Sequence, residues 1–473
     1  MRPKTIHVSD APRLAEGFER IRGELDLPGE FPLPVLEEAA RVASAPLPSL
    51  PDRTDLPLLT VDPRGSMDLD QAVCIEERPR GYRVWYAIAD VAWFVPPGGV
   101  IDGEARKRGE TVYMPDARVP LHPPALSEGA ASLLPGVVRP AALWCVDLDS
   151  DGRTVGADVS RALVRSRERL DYDYVQAAID TGTADGTLRL LPIVGGLRFE
   201  LERERGGVSL PTPEQEVVGH GDGYRVEFRT PLAAEDWNAQ ISLMTGMAAA
   251  AMMLDAEMGV LRTLPPAPQD TVARVRRIAA ALGVPWPEGA AFGEVVRSLD
   301  PKIPGNAAFL QESTVLLRGA GYTAFNGEPP RDATHAAVAA PYAHVTAPLR
   351  RLVDRYGTEV CLAVAEGVPV PEPVQEALEG LPALMAGTGR RAAAVERACV
   401  DLVEAFVLRD RVGQTFDAVV VDAEDGKAGG VVQVADPAVV ARCDGEGLPL
   451  GARVQVRLTR ADLVTREVRF TLA

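Results

Sequence analysis

Asp62-Pro63-Arg64-Gly65-Ser66-Met67-Asp68-Leu69-Asp70-Gln71 gathers three carboxylates and one side-chain amide into a single short stretch. Oxygen donors of this kind suit hard cations such as Mg²⁺ and Mn²⁺, which require negative charge and accept few nitrogen or sulfur ligands. On an extended backbone Asp68 and Asp70 point to one face and Leu69 to the other. Pro63 and Gly65 supply a tight bend that turns Asp62 back toward that face. Taken alone, an alternating Asp pair is more often a polar turn than a metal site. The rest of the chain decides between the two.

The 473 residues are 46% hydrophobic and 25% charged, an ordinary soluble composition long enough for several domains. Cys74, Cys145, Cys361, Cys399 and Cys443 are scattered without a C-x-x-C pair, which points to reduced thiols and a cytoplasmic protein. Residues 1–10 carry Arg2 and Lys4 with no apolar run behind them, and no stretch reaches the ~20 apolar residues of a membrane span. A net charge of −17 argues against adhesion to a broad duplex surface. It leaves room for a channel lined by a few arginines, because cations at a carboxylate cluster invert the local sign.

Leu14, Phe18, Ile21 and Leu25 recur at helical spacing behind a Ser9 or Asp10 cap, Pro28-Gly29 breaks the pattern, and 35–40 restarts it. A small helical module of helix-turn-helix type fits residues 1–57, which end in a proline-rich linker at 46–57. From residue 58 the texture turns β-rich, with strands at 58–61, 82–91, 143–149 and 224–229. Helices are expected at 234–260, 270–283 and 390–409, the last with Val395, Cys399, Leu402 and Phe406 on one stripe. Beyond 410, short strands at 415–421, 429–434, 452–458 and 467–472 indicate a small closed barrel.

Downstream of the Asp cluster stand Ile88-Ala89-Asp90-Val91, Asp102-Gly103-Glu104-Ala105 with Arg108, Tyr113-Met114-Pro115, Leu126-Ser127, Ser132-Leu133 and Arg139-Pro140. Far later come Tyr342-Ala343-His344-Val345-Thr346-Ala347-Pro348-Leu349-Arg350-Arg351 and Asp354. In order and approximate spacing these resemble the RNase II-like (RNB) exoribonucleases, and the terminal strands resemble the S1 RNA-binding domain that usually closes them. The resemblance implies an α+β fold: an RNB-like catalytic domain over 58–410 and an OB-type S1 barrel over 411–473. It also implies a processive, Mg²⁺-dependent hydrolase, with Mn²⁺ as a substitute, that removes nucleoside 5′-monophosphates from the 3′ end of single-stranded RNA. A monomer without a membrane partner is expected.

By the same resemblance, Asp62, Asp68 and Asp70 belong to the metal site, and Asp70 and Arg350 are catalytic. Arg350 would clamp phosphate oxygens. Tyr113 would stack on the terminal base, and Arg351 and Glu396 would line the RNA path. In the terminal barrel Arg453, Arg457 and Arg469 supply charge, whereas Phe416 and Phe470 are the only aromatics, so phosphate contact is expected more than stacking. Each has a plainer alternative: Tyr113 as a turn tyrosine, Arg350 and Arg351 as partners of Asp354, Glu396 as a surface ion pair. His344 reads as a structural histidine, and His7, His122, His220 and His335 lack ligand spacing.

Gln71 is the departure that matters, since the family usually places a fourth aspartate there. A glutamine carbonyl can still ligate Mg²⁺, though more weakly, and cannot act as a base. Gln71 is therefore kept in the expected metal site, with metal-sensitive activity. Ala347, where serine is commoner, is minor. Residues 1–57 are too few for the paired cold-shock barrels that usually precede this domain. The alternatives are a non-catalytic RNA-binding regulatory protein on the same scaffold and a metal-dependent DNA nuclease.

Overall fold

In the computed structural model the described residues are 11–473 except 211–213, 221–222, 230, 302 and 424–428. The Ser9 or Asp10 cap, His7 and the side chain of His220 lie outside them. The chain opens with α1 (Ala11–Glu24) and α2 (Leu33–Ala43), followed by β1 (Leu58–Asp62), β2 (Gln71–Arg78) and β3 (Gly81–Ala89). Short helices α3 (Val91–Phe94) and α4 (Val100–Arg108), the hairpin β4 (Val112–Tyr113) and β5 (Arg118–Val119), and long strands β6 (Val138–Asp149) and β7 (Thr154–Asp171) come next. Then follow α5 (Tyr172–Asp180), α6 (Gly186–Arg205), β8 (Glu214–His220), β9 (Gly223–Arg229) and α7 (Ala233–Asp255). The region before the last barrel holds β10 (Met258–Thr263), α8 (Gln269–Ala281), α9 (Phe292–Arg297), α10 (Pro304–Ser313), β11 (Gly321–Asn326), β12 (Thr334–His335), β13 (Ala340–Pro341), α11 (Leu352–Glu366), α12 (Glu372–Leu378) and α13 (Leu381–Leu408). The chain ends with β14 (Thr415–Ala423), β15 (Gly430–Val434), β16 (Val439–Asp444), β17 (Arg453–Asp462) and β18 (Glu467–Leu472).

Two closed barrels organise these elements, in the orders β1-β2-β3-β6-β7 and β14-β15-β16-β18-β17. Closure abolishes the exposed edges that open sheets must otherwise protect. The second is the expected terminal barrel. The first was read only as separate strands, because its closing contact is a parallel pairing of β1 with β7, ending at Asp62 opposite Asp171, between segments far apart in sequence. Its interior residues Val84, Tyr86, Ile88 and Trp144 join the inner faces of α7 and α11 in one core. That core sets the first barrel against both helices.

The helix-turn-helix expectation is corrected. Leu14, Phe18 and Ile21 of α1 pack with Val395, Cys399, Leu402 and Phe406 of α13. Val35 and Ala39 of α2 instead join Val91, Phe94 and Ile101 beside the first barrel. Each apolar stripe finds a different partner, so the helices do not form a hairpin. The helix expected over 234–260 ends at Asp255, because Glu257 takes a left-handed φ of 54° and Met258 begins β10. Helix α6 has no single apolar stripe because it is buried from more than one side, between β2 and α7.

Several motif residues act as buried braces. Arg355 of α11 donates to Asp102 of α4, and its other arm donates to Val95 O at 3.2 Å. Asp102 also accepts from Gly98 N at 2.9 Å and Arg106 Nε at 3.1 Å. Arg108 reaches Glu104 at 2.9 Å and Gly29 O at 2.7 Å. Asp90 pairs with Arg161 at 2.8 Å. Replacing Asp102 by Ala leaves a buried guanidinium uncompensated. Urea unfolding should show a loss of about 3–5 kcal/mol, part of which the Asp102→Ala, Arg355→Met double variant restores.

Candidate active site

The loop from β1 to β2 places the aspartates at one end of the first barrel. Ser66 N donates to Pro63 O at 3.1 Å, and Gly65 takes φ 87° to complete the bend. Leu69 is fully buried, and its N–H donates to Ser132 Oγ at 3.0 Å while that hydroxyl donates to Met67 O at 2.6 Å. With Leu69 pinned beneath, Asp68 and Asp70 turn to the opposite side, as their alternation required. Asp68 accepts from Tyr113 OH at 2.8 Å and from Arg118 Nη1 at 3.0 Å. Asp70 accepts from Leu349 N at 2.7 Å and faces Arg350 Nε at 3.5 Å. One oxygen of Asp62, Oδ2, is buried with no hydrogen-bond partner among the described residues.

Burial raises Asp62 to about 7, aided by the charge of Asp68 and opposed by Arg350 and Arg169. Burial also raises Asp70 to about 8, against the pull of Arg350 and the Leu349 N–H. In both carboxyls the cost of burial outweighs the nearby arginine charge.

Arg350 and Arg351 stand just before α11 rather than in its first turn. The Arg350 side chain is 43% exposed and free to reach outward. Arg351 is instead tied to Asp354 at 2.8 and 3.0 Å, and Asp354 Oδ1 also accepts from Ala347 N at 2.7 Å. Its expected role in RNA contact therefore gives way to bracing the loop, the plainer reading. Tyr113 is 53% exposed, with its ring outward and its hydroxyl anchored on Asp68. His344 is a satisfied core residue, hydrogen-bonded through Nδ1 to Tyr322 OH at 2.8 Å and held neutral by burial.

Gln71 does not sit as the expected fourth oxygen ligand. Its Oε1 accepts from Tyr86 OH and lies 3.3 Å from Ser242 Oγ, while Nε2 donates to Thr346 O at 2.7 Å. Both ends of the amide are occupied inside the fold. Glu396 is exposed on α13, next to Val395, which packs under the hairpin that carries Tyr113. Arg453 and Arg457 project from β17 on the exposed face of the second barrel.

Arg118, Tyr86 and Ser242 were missed by sequence reasoning. Arg118 had a usable signal: Pro115-Asp116 marks a turn, and hairpin register sets Arg118 directly across from Tyr113. Tyr86 and Ser242 had none, being an interior strand residue and one small polar residue in an apolar helix.

The RNB domain family matches residues 51–361, the stretch holding the three aspartates, Gln71, Tyr113, Arg118 and Arg350. The chain belongs to the RNB family. Residues 414–473 match the RNase II-type exonuclease C-terminal S1 domain, so the second barrel is an S1 domain. Ribonuclease R of Escherichia coli is 28% identical over 473 residues, covering 89% of this chain and 57% of that protein. The chain thus spans little more than half the length of that RNB relative. In fold it matches Mycoplasma genitalium RNase R, solved in complex with ribose-methylated single-stranded RNA, at a TM-score of 0.87 and 19% identity, over 98% of this chain and 78% of that one. It also matches yeast Ssd1, described as a pseudonuclease, at a TM-score of 0.70 and 18% identity, over 87% and 53%.

Among the described residues no three His, Cys, Asp or Glu side chains converge as a finished ligand cage. The donor set nevertheless fits a divalent cation: Asp62 Oδ2 is orphaned and buried, and the carboxyls of Asp62 and Asp70 are both raised by burial. A raised carboxyl stabilises the fold while protonated, and that stability is lost as pH climbs from the unfolded value of 3.8 through about 7. In chelator, the denaturation midpoint should therefore fall between pH 5 and 8, less steeply in Asp62→Asn. Added Mn²⁺ should restore it at pH 8 in the wild type only.

Proposed function

We propose that this chain is a divalent-cation-dependent 3′-to-5′ exoribonuclease releasing nucleoside 5′-monophosphates from single-stranded RNA. The observation that carries the proposal is the meeting of Asp62, Asp68 and Asp70 with Arg350 and an outward Tyr113 ring at one barrel end. Membership of the RNB family and the likeness to Ribonuclease R support it. Asp62, Asp68 and Asp70 would hold Mg²⁺ or Mn²⁺, and a bound cation supplies positive charge at the scissile phosphate and acidifies the attacking water.

The remaining work falls to the chain's own groups. Arg350, held by its backbone but free at its tip, binds non-bridging phosphate oxygens and opposes the charge that develops on them. Tyr113 offers a ring to the terminal base, and its bond to Asp68 fixes that ring beside the carboxylates. Arg118 bridges Asp68 and Glu128, the latter at 2.7 Å, and so offsets negative charge where the polymer enters. Arg453 and Arg457 on the S1 domain extend phosphate contact away from the site. A cytoplasmic monomer accords with this reading, its five cysteines all being free thiols.

A second reading, a non-catalytic RNA-binding protein, is favoured by Gln71 at the fourth-aspartate position and by the fold likeness to Ssd1. Three retained aspartates and Arg350 weigh against it.

A gel time course on a 5′-labelled RNA tail with Mg²⁺ or Mn²⁺ separates the readings. Steady shortening with mononucleotide release is expected, abolished by Asp70→Asn and slowed by about 10²–10³ in Arg350→Ala. Tyr113→Ala should weaken RNA binding by roughly 1–3 kcal/mol. The all-deoxy oligomer should survive. RNA that is bound but intact with either cation would hand the case to the second reading.

A further inference from the structure

The segment 342–351 delivers Arg350 to the aspartates, yet it belongs to no long helix or strand. Backbone and side-chain bonds hold it from several directions. Ala343 N donates to Gly246 O of α7 at 3.0 Å, and Thr111 N donates to Arg350 O at 2.9 Å. Gly246 permits this approach, since a Cβ there would lie 2.2 Å from the Tyr342 ring. Asp354 takes Ala347 N, and Asp70 takes Leu349 N. Between these points, Thr346 O is held by Gln71 Nε2 at 2.7 Å.

We propose that Gln71 is a positioning residue for the Arg350 segment, not a weakened metal ligand, and that aspartate at this position would impair the site. A carbonyl oxygen is only an acceptor, so the group facing Thr346 O must donate. An amide donates there, whereas a carboxylate sets acceptor against acceptor, and aspartate is also one methylene too short. The opposite end of the amide is matched as well. Tyr86 OH donates to Gln71 Oε1, and Ser242 Oγ lies 2.7 Å from the phenol oxygen and 3.3 Å from Oε1. Hydroxyl donors fix the carbonyl end, which fixes the NH₂ end toward Thr346. Gln71, Tyr86 and Ser242 therefore form one set, joining β2, β3 and α7 to the loop that carries Arg350. Asp70 and Gln71 are consecutive, so a single turn of backbone grips this loop at two points, Leu349 N and Thr346 O.

The inference rests on the proposed nuclease only for its kinetic consequences; the grip on the loop stands without them. The test compares wild type with Gln71→Glu, Gln71→Asp and Tyr86→Phe. In metal-free protein without RNA, amide hydrogen exchange over 343–350 should quicken in all three while the barrel strands keep their protection. Calorimetric Mn²⁺ titration should show no tighter binding in Gln71→Asp than in wild type. In the RNA assay, kcat should fall about 10–100-fold in Gln71→Glu and Gln71→Asp with KM little changed. Unchanged exchange over 343–350 in Gln71→Glu would overturn the proposal, as would tighter Mn²⁺ binding with faster turnover in Gln71→Asp. A wild type that binds RNA without cleaving it would remove the nuclease reading, and the exchange and Mn²⁺ measurements would still decide the role of Gln71.

Discussion

The site depends on the contact between Asp70 and the backbone of Leu349. Asp70 ends the loop entering β2, while Leu349 precedes α11, so this one bond joins the rim of a closed barrel to a distant, otherwise irregular segment. The carboxylate is buried and pushed up to about 8, and Arg350 and an amide N–H only partly compensate it. A buried carboxyl so placed is tolerated only when the groups around it are fixed. The braces Arg351–Asp354, Gln71–Thr346 and Asp102–Arg355 provide that fixity, each linking the barrel side to the α11 side or stiffening the loop between.

This arrangement accounts for the coexistence of a strongly acidic chain and an anionic polymer as the proposed substrate. Much of the arginine charge is spent internally: Arg351 on Asp354, Arg355 on Asp102, Arg161 on Asp90. Arg350 keeps an exposed tip, and Arg118 is shared between Asp68 and Glu128. Exposed arginine is thus found at the barrel end and on the outer face of β17, while the overall charge of −17 suppresses adhesion elsewhere.

The two barrels illustrate what linear pattern reveals and what it hides. The S1 strands are short, consecutive and separated by turns, so closure could be inferred from spacing alone. The first barrel closes through β1 and β7, with strands, helices and a hairpin between them, and nothing local marks that pairing. Likewise the stripes on α1 and α2 were legible as helices, but an apolar stripe does not name its partner. One found α13 and the other the side of the barrel.

At the site, the sequence by itself determined the chemistry. Alternation put Asp68 and Asp70 on one side with Leu69 beneath, Pro63 and Gly65 bent the loop, and Arg350 stood out in its motif. These are local properties, set by strand geometry and turn residues within a few positions. Only the tertiary structure decided which polar atoms were already spent. Arg351 and Arg350 are neighbours of identical type, yet one is locked on Asp354 and the other reaches outward. Gln71 could offer a carbonyl or an amide, and the choice came from Tyr86, Ser242 and Thr346, which meet it from three different elements of the fold. Hydrogen-bond valence is filled by whatever lies nearest in space, and that neighbourhood exists only once the barrel has closed.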